Sequence, residues 1–258
     1  MPPNSKPVRV LYSFPHKLGA QRICYAAWQH VEGLAASGAE VTAFPGVLHR
    51  PLANSVKVQP TLSRGKLRLP YKLFGRIGSC SLHDWMVARR LPKMVGQIDV
   101  VHAFPLGALR TLKTARKLGI PTVLERCNAH TAFAYKVVQD ECERLGITMP
   151  AGHEHDYNAA TLRREEAEYR EADYLLCPSE FVARTFRDRG FAPEQLARFQ
   201  YGYDPESCFP PKAEREPQKG LTVLFAAGCA PRKGLHYALE AWLRSSAHHH
   251  GTLLIAGE

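Results

Sequence analysis

Apolar and polar positions alternate along the chain in a repeating strand, loop and helix theme. Val8 to Phe14 is a short β-like run closed by Pro15. Ile23, Ala27, Val31 and Leu34 then recur at three- and four-residue steps, which predicts an amphipathic helix stopped by Gly38. Glu40 to Phe44 is a second strand, ended by Pro45-Gly46. Residues 46–95 are punctuated by Gly and Pro and only partly periodic, with a helix predicted at Leu82–Leu91. Regular alternation returns with a strand over 99–104, a helix over about 106–118 and a strand over 121–125. Helices are expected near 130–145 and 157–171, then a strand over 173–177 and a helix opened by Ser179, a residue type suited to capping. Strands joined by helices in this order predict a parallel α/β sheet.

Periodicity fails between Asp204 and Lys219, where four prolines fall in sixteen residues. The theme restarts at Leu221–Ala227, passes through a loop at 228–234 into a helix to about Ser246, and closes with a strand over 252–256. The expected organisation is therefore a first domain over 1–203, a linker over 204–219 and the beginning of a second, truncated domain over 220–258.

Composition narrows the class. With 45% hydrophobic and 22% charged residues the chain reads as globular. No run approaches the roughly 18 apolar residues of a membrane span. The start, Met1 to Pro7, lacks the apolar centre of a signal peptide, so a cytoplasmic location is expected. The seven cysteines are odd in number and contain no Cys-x-x-Cys pair, which suits reduced, buried thiols. The net charge of +10 is concentrated between Lys57 and Lys93, with nine Lys or Arg against one acid, Asp84. Such a stretch suits an anionic membrane or an acidic acceptor, or simply a solvated face. No nucleic-acid partner is expected.

The sharpest local chemistry lies in Gly228-Cys229-Ala230-Pro231-Arg232-Lys233-Gly234. It joins the carboxyl end of a strand to a helix N-terminus, where backbone N–H groups favour an anion. Arg232 offers a fork for two phosphate oxygens, Lys233 a compact charge, and Gly228 and Gly234 a close approach of the backbone. An ordinary basic turn explains the same residues equally well. The loop after the first strand holds a single glycine, Gly19, and is no dinucleotide fingerprint. His130 follows the strand over 121–125 and is placed either to meet a sugar oxygen or to pack as a core histidine. Glu125 and Arg126 share that loop and could pair. The helix over 157–171, with Arg163, Arg164, Glu165, Glu166 and Glu168, is expected to show an exposed, ion-paired face. His248-His249-His250 cannot share one helix face and is read as a polar loop; no metal site is expected.

Three passages together resemble the retaining, GT-B-type glycosyltransferases of family 4. Glu171 to Phe181 is similar to that family's strand-and-serine segment, and Tyr201-Gly202-Tyr203-Asp204 with Phe209-Pro210 to its hinge. Leu224 to Gly228 with Pro231 to Leu235 looks like its donor-phosphate loop. The resemblance implies a GT-B-like fold, with one complete Rossmann-like domain and the start of a second. It also implies transfer from a nucleotide-sugar donor to a saccharide or lipid-linked acceptor, in polysaccharide or glycolipid synthesis. Gly228, Arg232, Lys233 and Gly234 would hold the donor diphosphate, Gly19 and Ser179 would lie on the acceptor side, and His130 would be catalytic. The nucleotide-sugar would be a co-substrate, with no further cofactor and no metal. The chain departs from the family in having Leu18-Gly19-Ala20 where paired glycines are usual. The family's two glutamates eight positions apart would fall past Glu258. A nucleotide-sugar epimerase of the same fold, or a nucleotide- or polyanion-binding fragment without turnover, remains compatible with these residues.

Overall fold

The computed structural model describes residues 6–65, 67–69, 71–150, 152–153, 156–203, 205 and 220–257. The chain divides into two compact units, Met1–Thr131 with Asn158–Tyr201, and Ala132–Tyr157 with Gly202–Glu258. This division is not linear in sequence. Residues 132–157, which the sequence pattern assigns to the first domain, group with the second unit. Nearly all of the linker over 204–219, with Cys208 and Phe209-Pro210, lies outside the described residues.

The first unit is built on a seven-stranded sheet. Its strands are β1 (Arg9–Leu18), β2 (Glu40–Leu48), β3 (Lys57–Val58), β6 (Val100–Ala103), β7 (Thr122–Glu125), β8 (Tyr174–Cys177) and β9 (Leu196–Arg198). A separate two-stranded antiparallel ribbon pairs β4 (Ser63–Arg64) with β5 (Leu67–Arg68). The strand order in the sheet is β3-β2-β1-β6-β7-β8-β9 and every pair is parallel. The chain builds outward from β1 in one direction and then resumes at β6 on its other side, so the β1/β6 boundary is the topological switch point.

Residue alternation sets the two faces. Val10, Tyr12 and Phe14 point to one side with Val41 and Ala43, under Ala27 and Val31 of α1 (Ile23–Ala36). Leu11, Val101, Ala103, Leu124, Leu175 and Cys177 point to the other. That second face is covered by α2 (Tyr71–Arg90), α3 (Leu109–Lys117), α5 (Ala159–Glu171) and α6 (Glu180–Arg187), through residues such as Val87, Leu112, Tyr169 and Phe186. Each fully buried side chain of this size contributes about 1.5–3 kcal/mol. β1 continues past Pro15: the register with β2 shifts between Phe14 and Lys17 and pairing resumes at Lys17 and Val47. A proline has no N–H to give the ladder, which is why the irregularity sits there.

The second unit contains α4 (Thr131–Leu145, whose first residue belongs to the first unit), β10 (Thr222–Ala226), α7 (Leu235–Arg244) and β11 (Thr252–Ala256). β10 and β11 pair in parallel.

Three expectations need correction. α2 begins at Tyr71 rather than Leu82, with a break at Gly75 (φ 61°). The face of α5 is not simply exposed, since Glu165 and Glu168 are buried. Of the six described thiols, only Cys80, Cys142 and Cys177 are buried; Cys229 is exposed.

Candidate functional site

At the switch point the C-terminal parts of β1 and β2 and the loop after β6 meet closely. A Cβ on Gly107 would lie 2.7 Å from Pro15 Cβ, and one on Gly46 only 2.4 Å from the Pro15 carbonyl oxygen. Only glycine lets these three strand ends converge. Gly19 has φ 87° and its Cβ position is blocked by Arg50, so this glycine is required by conformation and by space. Among the described residues the two non-glycine residues with positive φ, Arg22 (58°) and Leu106 (68°), stand in the loops after β1 and β6. Such conformations cost about 1–3 kcal/mol each and persist where surrounding contacts impose them.

The contacts that hold Leu106 and the start of α3 come from two carboxylates distant in sequence. Glu168 of α5 accepts from the backbone N–H groups of Leu106 (2.7 Å), Ala108 (3.1 Å) and Leu109 (3.2 Å). Asp84 of α2 accepts from the N–H groups of Arg110 and Thr111, both at 2.9 Å, and from the Thr111 hydroxyl at 2.8 Å. α3 has no side-chain cap of its own, and these two residues satisfy its orphan donors. Arg164 bridges them, at 3.2 Å from Asp84 and 3.3 Å from Glu168.

A buried relay fixes the strand ends from below. Thr61 donates to the Pro45 carbonyl (3.3 Å), so His83 Nδ1–H donates to Thr61 (2.7 Å) and His83 Nε2 accepts from the Ser13 hydroxyl (2.9 Å). Burial, with His16 and Arg90 nearby, pushes the His83 imidazole down to about 3, so it stays neutral. Burial, with Arg76 nearby, likewise holds His16, in β1, at about 4.

Glu125 and Arg126 do not pair with each other. Glu125, wholly buried, lies 3.1 Å from both His30 Nδ1 and His102 Nε2 and accepts from the Tyr201 hydroxyl at 2.8 Å. Arg126 lies 3.4 Å from Glu165 and 4.7 Å above the Tyr169 ring. His30 and His102 also line a cavity of about 350 Å³ with Gln29, Gly33, Leu34, Leu176 and Phe199.

His130 is buried among Tyr169, Phe186 and Phe191, with ring centroids at 5.2, 5.1 and 6.2 Å. Its backbone N–H donates to the Thr185 hydroxyl at 3.0 Å. Burial, then Arg189 and Arg126, lower the imidazole to about 3, so it is a neutral ring within an aromatic cluster. Ser179 caps α6, accepting from the Val182 N–H at 3.2 Å. Sequence reasoning missed Arg22, Leu106, Asp84 and Glu168. The one acid in the basic stretch 57–93 was a usable signal for Asp84.

In the second unit the loop after β10 folds into a single tight turn, Pro231–Lys233, and Gly234 takes a left-handed conformation (φ 74°, ψ 25°) before α7. Arg232 and Lys233 are exposed. α7 begins with no side-chain cap and no acidic residue in its first turn. Two cations and an uncapped helix start form a place suited to an anion. His248 lies in a short turn, Ser246–His249. Among the described residues no group of three or more His, Cys, Asp or Glu is placed to hold a metal ion, and no helix is long and apolar enough to cross a membrane.

The family model described as Glycosyltransferase Family 4 matches residues 26–207. No curated protein sequence matches the chain. Among solved structures, WaaG, a glycosyltransferase involved in lipopolysaccharide biosynthesis, is similar with a TM-score of 0.57 at 14% identity, over 96% of this chain and 63% of that one. HepE of Anabaena, solved with UDP and glucose, gives 0.50 at 12% identity, over 96% and 60%. UGT2 of Phytolacca americana, solved with UDP-2-fluoro-glucose and pterostilbene, gives 0.50 at 10% identity, over 88% and 61%. At these identities the likeness establishes fold, and the chain spans about three-fifths of the length of each structure.

Proposed function

The chain belongs to glycosyltransferase family 4, and from that premise we propose that it serves transfer of a sugar from a nucleoside-diphosphate donor to a saccharide or lipid-linked acceptor. The observation that supports this reading is the loop 228–234, with exposed Arg232 and Lys233 ahead of the uncapped start of α7. In such a transfer the bond from the anomeric carbon to the diphosphate breaks, and the departing diphosphate gains negative charge. Fixed cations and oriented N–H groups there lower the barrier without a metal. The strained, tightly packed loops at the β1/β6 switch point are the acceptor side of this reading, with Gly19 shaping the first of them. His130 lies on a neighbouring loop, where a neutral ring is suited to ordering that loop. The solved relatives' UDP and UDP-sugar ligands make UDP the first nucleotide to test.

The basic stretch adds a peripheral docking surface to the proposal, on the cytoplasmic side of a membrane. Leu67, Phe74 and Trp85 are exposed large apolar residues, and Arg64, Arg76 and Arg89 are exposed among them. Apolar side chains mixed with cations suit an anionic lipid surface. Sedimentation with anionic vesicles should fall when the three arginines are changed to Gln; unchanged binding would remove this part of the reading.

The direct test is transfer by the full-length gene product. Incubated with radiolabelled UDP-sugars and a lipid or saccharide acceptor extract, it should pass label to the acceptor and release UDP. Arg232→Ala with Lys233→Ala should cut the rate at least about 100-fold, since charge-assisted hydrogen bonds contribute about 1.5–3 kcal/mol each. Free sugar or an isomerised donor, with no labelled acceptor, would overturn the proposal.

A further inference from the structure

The first turn of α7 is contacted by a residue from outside the loop 228–234. Gly234 leaves the loop in a left-handed conformation and no capping side chain fixes the first turn of the helix. The side chains of that turn are instead held by one carboxylate of α4. Glu141 lies 2.7 Å from His236 Nε2, accepts from the Tyr237 hydroxyl at 3.0 Å, and pairs with Arg144 at 2.6 Å. Arg144 closes the group from the other side, its guanidinium 4.9 Å from the centre of the Tyr237 ring. All of these residues belong to the second unit. The hydrogen bond from Arg144 leads the contacts that hold the Glu141 carboxyl down at about 2, so it is ionised at neutral pH.

The carboxylate bonds to side chains of the first turn and to Arg144, leaving the amide hydrogens of that turn facing their own end of the helix. We propose that Glu141 is a positioning residue for the anion loop: it fixes the first turn of α7, and with it the direction of the amides and of Arg232 and Lys233 toward a bound diphosphate. This rests on the reading of the loop as a diphosphate site. Charge and position make opposite predictions. Removing a carboxylate beside an anion site should, on Coulomb attraction alone, strengthen binding. Loss of positioning should weaken it.

The experiment is calorimetric titration of the chain with inorganic pyrophosphate, alongside a urea unfolding midpoint for each variant. Glu141→Gln should weaken pyrophosphate about fivefold, and Tyr237→Phe, which deletes one bond of the same group, should weaken it less. Combining Glu141→Gln with His236→Asn should cost less than the sum of the two, because contacting residues are coupled. Arg232→Ala with Lys233→Ala should lose binding outright. If that loop variant binds pyrophosphate like the parent, the site reading fails and the inference with it. If it loses binding while Glu141→Gln and Tyr237→Phe bind as tightly as the parent, or more tightly, the positioning role alone is overturned. A lowered urea midpoint with unchanged affinity would show a purely structural contact and would also overturn it.

Discussion

Replacing Glu125 by glutamine keeps the shape of the side chain and removes only its charge. The carboxylate is wholly buried and meets three donors: His30 and His102 at 3.1 Å and Tyr201 at 2.8 Å. Burial alone would raise its pKa, but the hydrogen bonds from His102 and His30 outweigh burial and bring it from 4.5 to about 2. At roughly 1.36 kcal/mol per decade, that difference is worth about 3 kcal/mol. A depressed folded-state pKa gives stability that is fully present above 4.5 and lost as pH falls toward 2. Glu125→Gln should therefore cost about 3 kcal/mol at pH 6 and only about 1 kcal/mol at pH 3, where the parent has already lost most of the benefit. Urea unfolding followed by tryptophan emission reads this directly, since Trp28 and Trp85 both stand in the first unit. A gap below about 1 kcal/mol at pH 6, or one equally large at pH 3, would refute the assignment of the carboxylate as an ionised centre of this cluster.

Other perturbations probe the switch point. Gly107→Ala places a methyl 2.7 Å from Pro15 Cβ and should destabilise the first unit by about 1–3 kcal/mol, read as a lower urea midpoint. Arg22→Gly relieves a backbone at φ 58°, ψ −131° and should stabilise the first unit by up to about 1 kcal/mol, read as a higher urea midpoint; an unchanged or lower midpoint would show that the arginine's contacts outweigh the strain. His83→Phe removes the acceptor of the Ser13 hydroxyl and the donor to Thr61, which keeps its bond to Pro45; it should lower the urea midpoint by the equivalent of about 1–3 kcal/mol, chiefly through the buried Ser13 hydroxyl, and Thr61→Val should cost less beside it than in the parent.

The strand and helix alternation was legible because most strands carry a two-residue period and most helices an apolar stripe. The segment over 57–93 was not, and the reason is physical. The inward positions of α2 include His83 and Asp84, both buried and hydrogen-bonded, so a polar residue sits where periodicity expects an apolar one. α5 misled in the same way. Glu168 reads as one charge among many, yet it is the partner that three backbone donors of the β6–α3 loop require. Buried carboxylates that cap a distant helix leave no local signature: the donors of Glu168 lie about sixty residues away and those of Asp84 26 and 27. The Glu125 cluster is similar: His30 on α1, His102 on β6 and Tyr201 beyond β9 are far apart in sequence and meet only in the folded unit. The loop 228–234 was legible as a strand-to-helix turn carrying two cations, because strand end, cations, glycine and helix start are contiguous. Even there the grip of Glu141 on α7 was invisible, since α4 precedes the loop by more than eighty residues.

The proposed donor site in the second unit depends on the diphosphate. Ligand-observed NMR with UDP, UMP and uridine, on the parent and on Arg232→Ala with Lys233→Ala, tests it most directly. Binding should strengthen from uridine to UMP to UDP in the parent, with the UDP advantage gone in the variant. Equal binding of all three, or a UDP advantage that survives the loss of both cations, would contradict it.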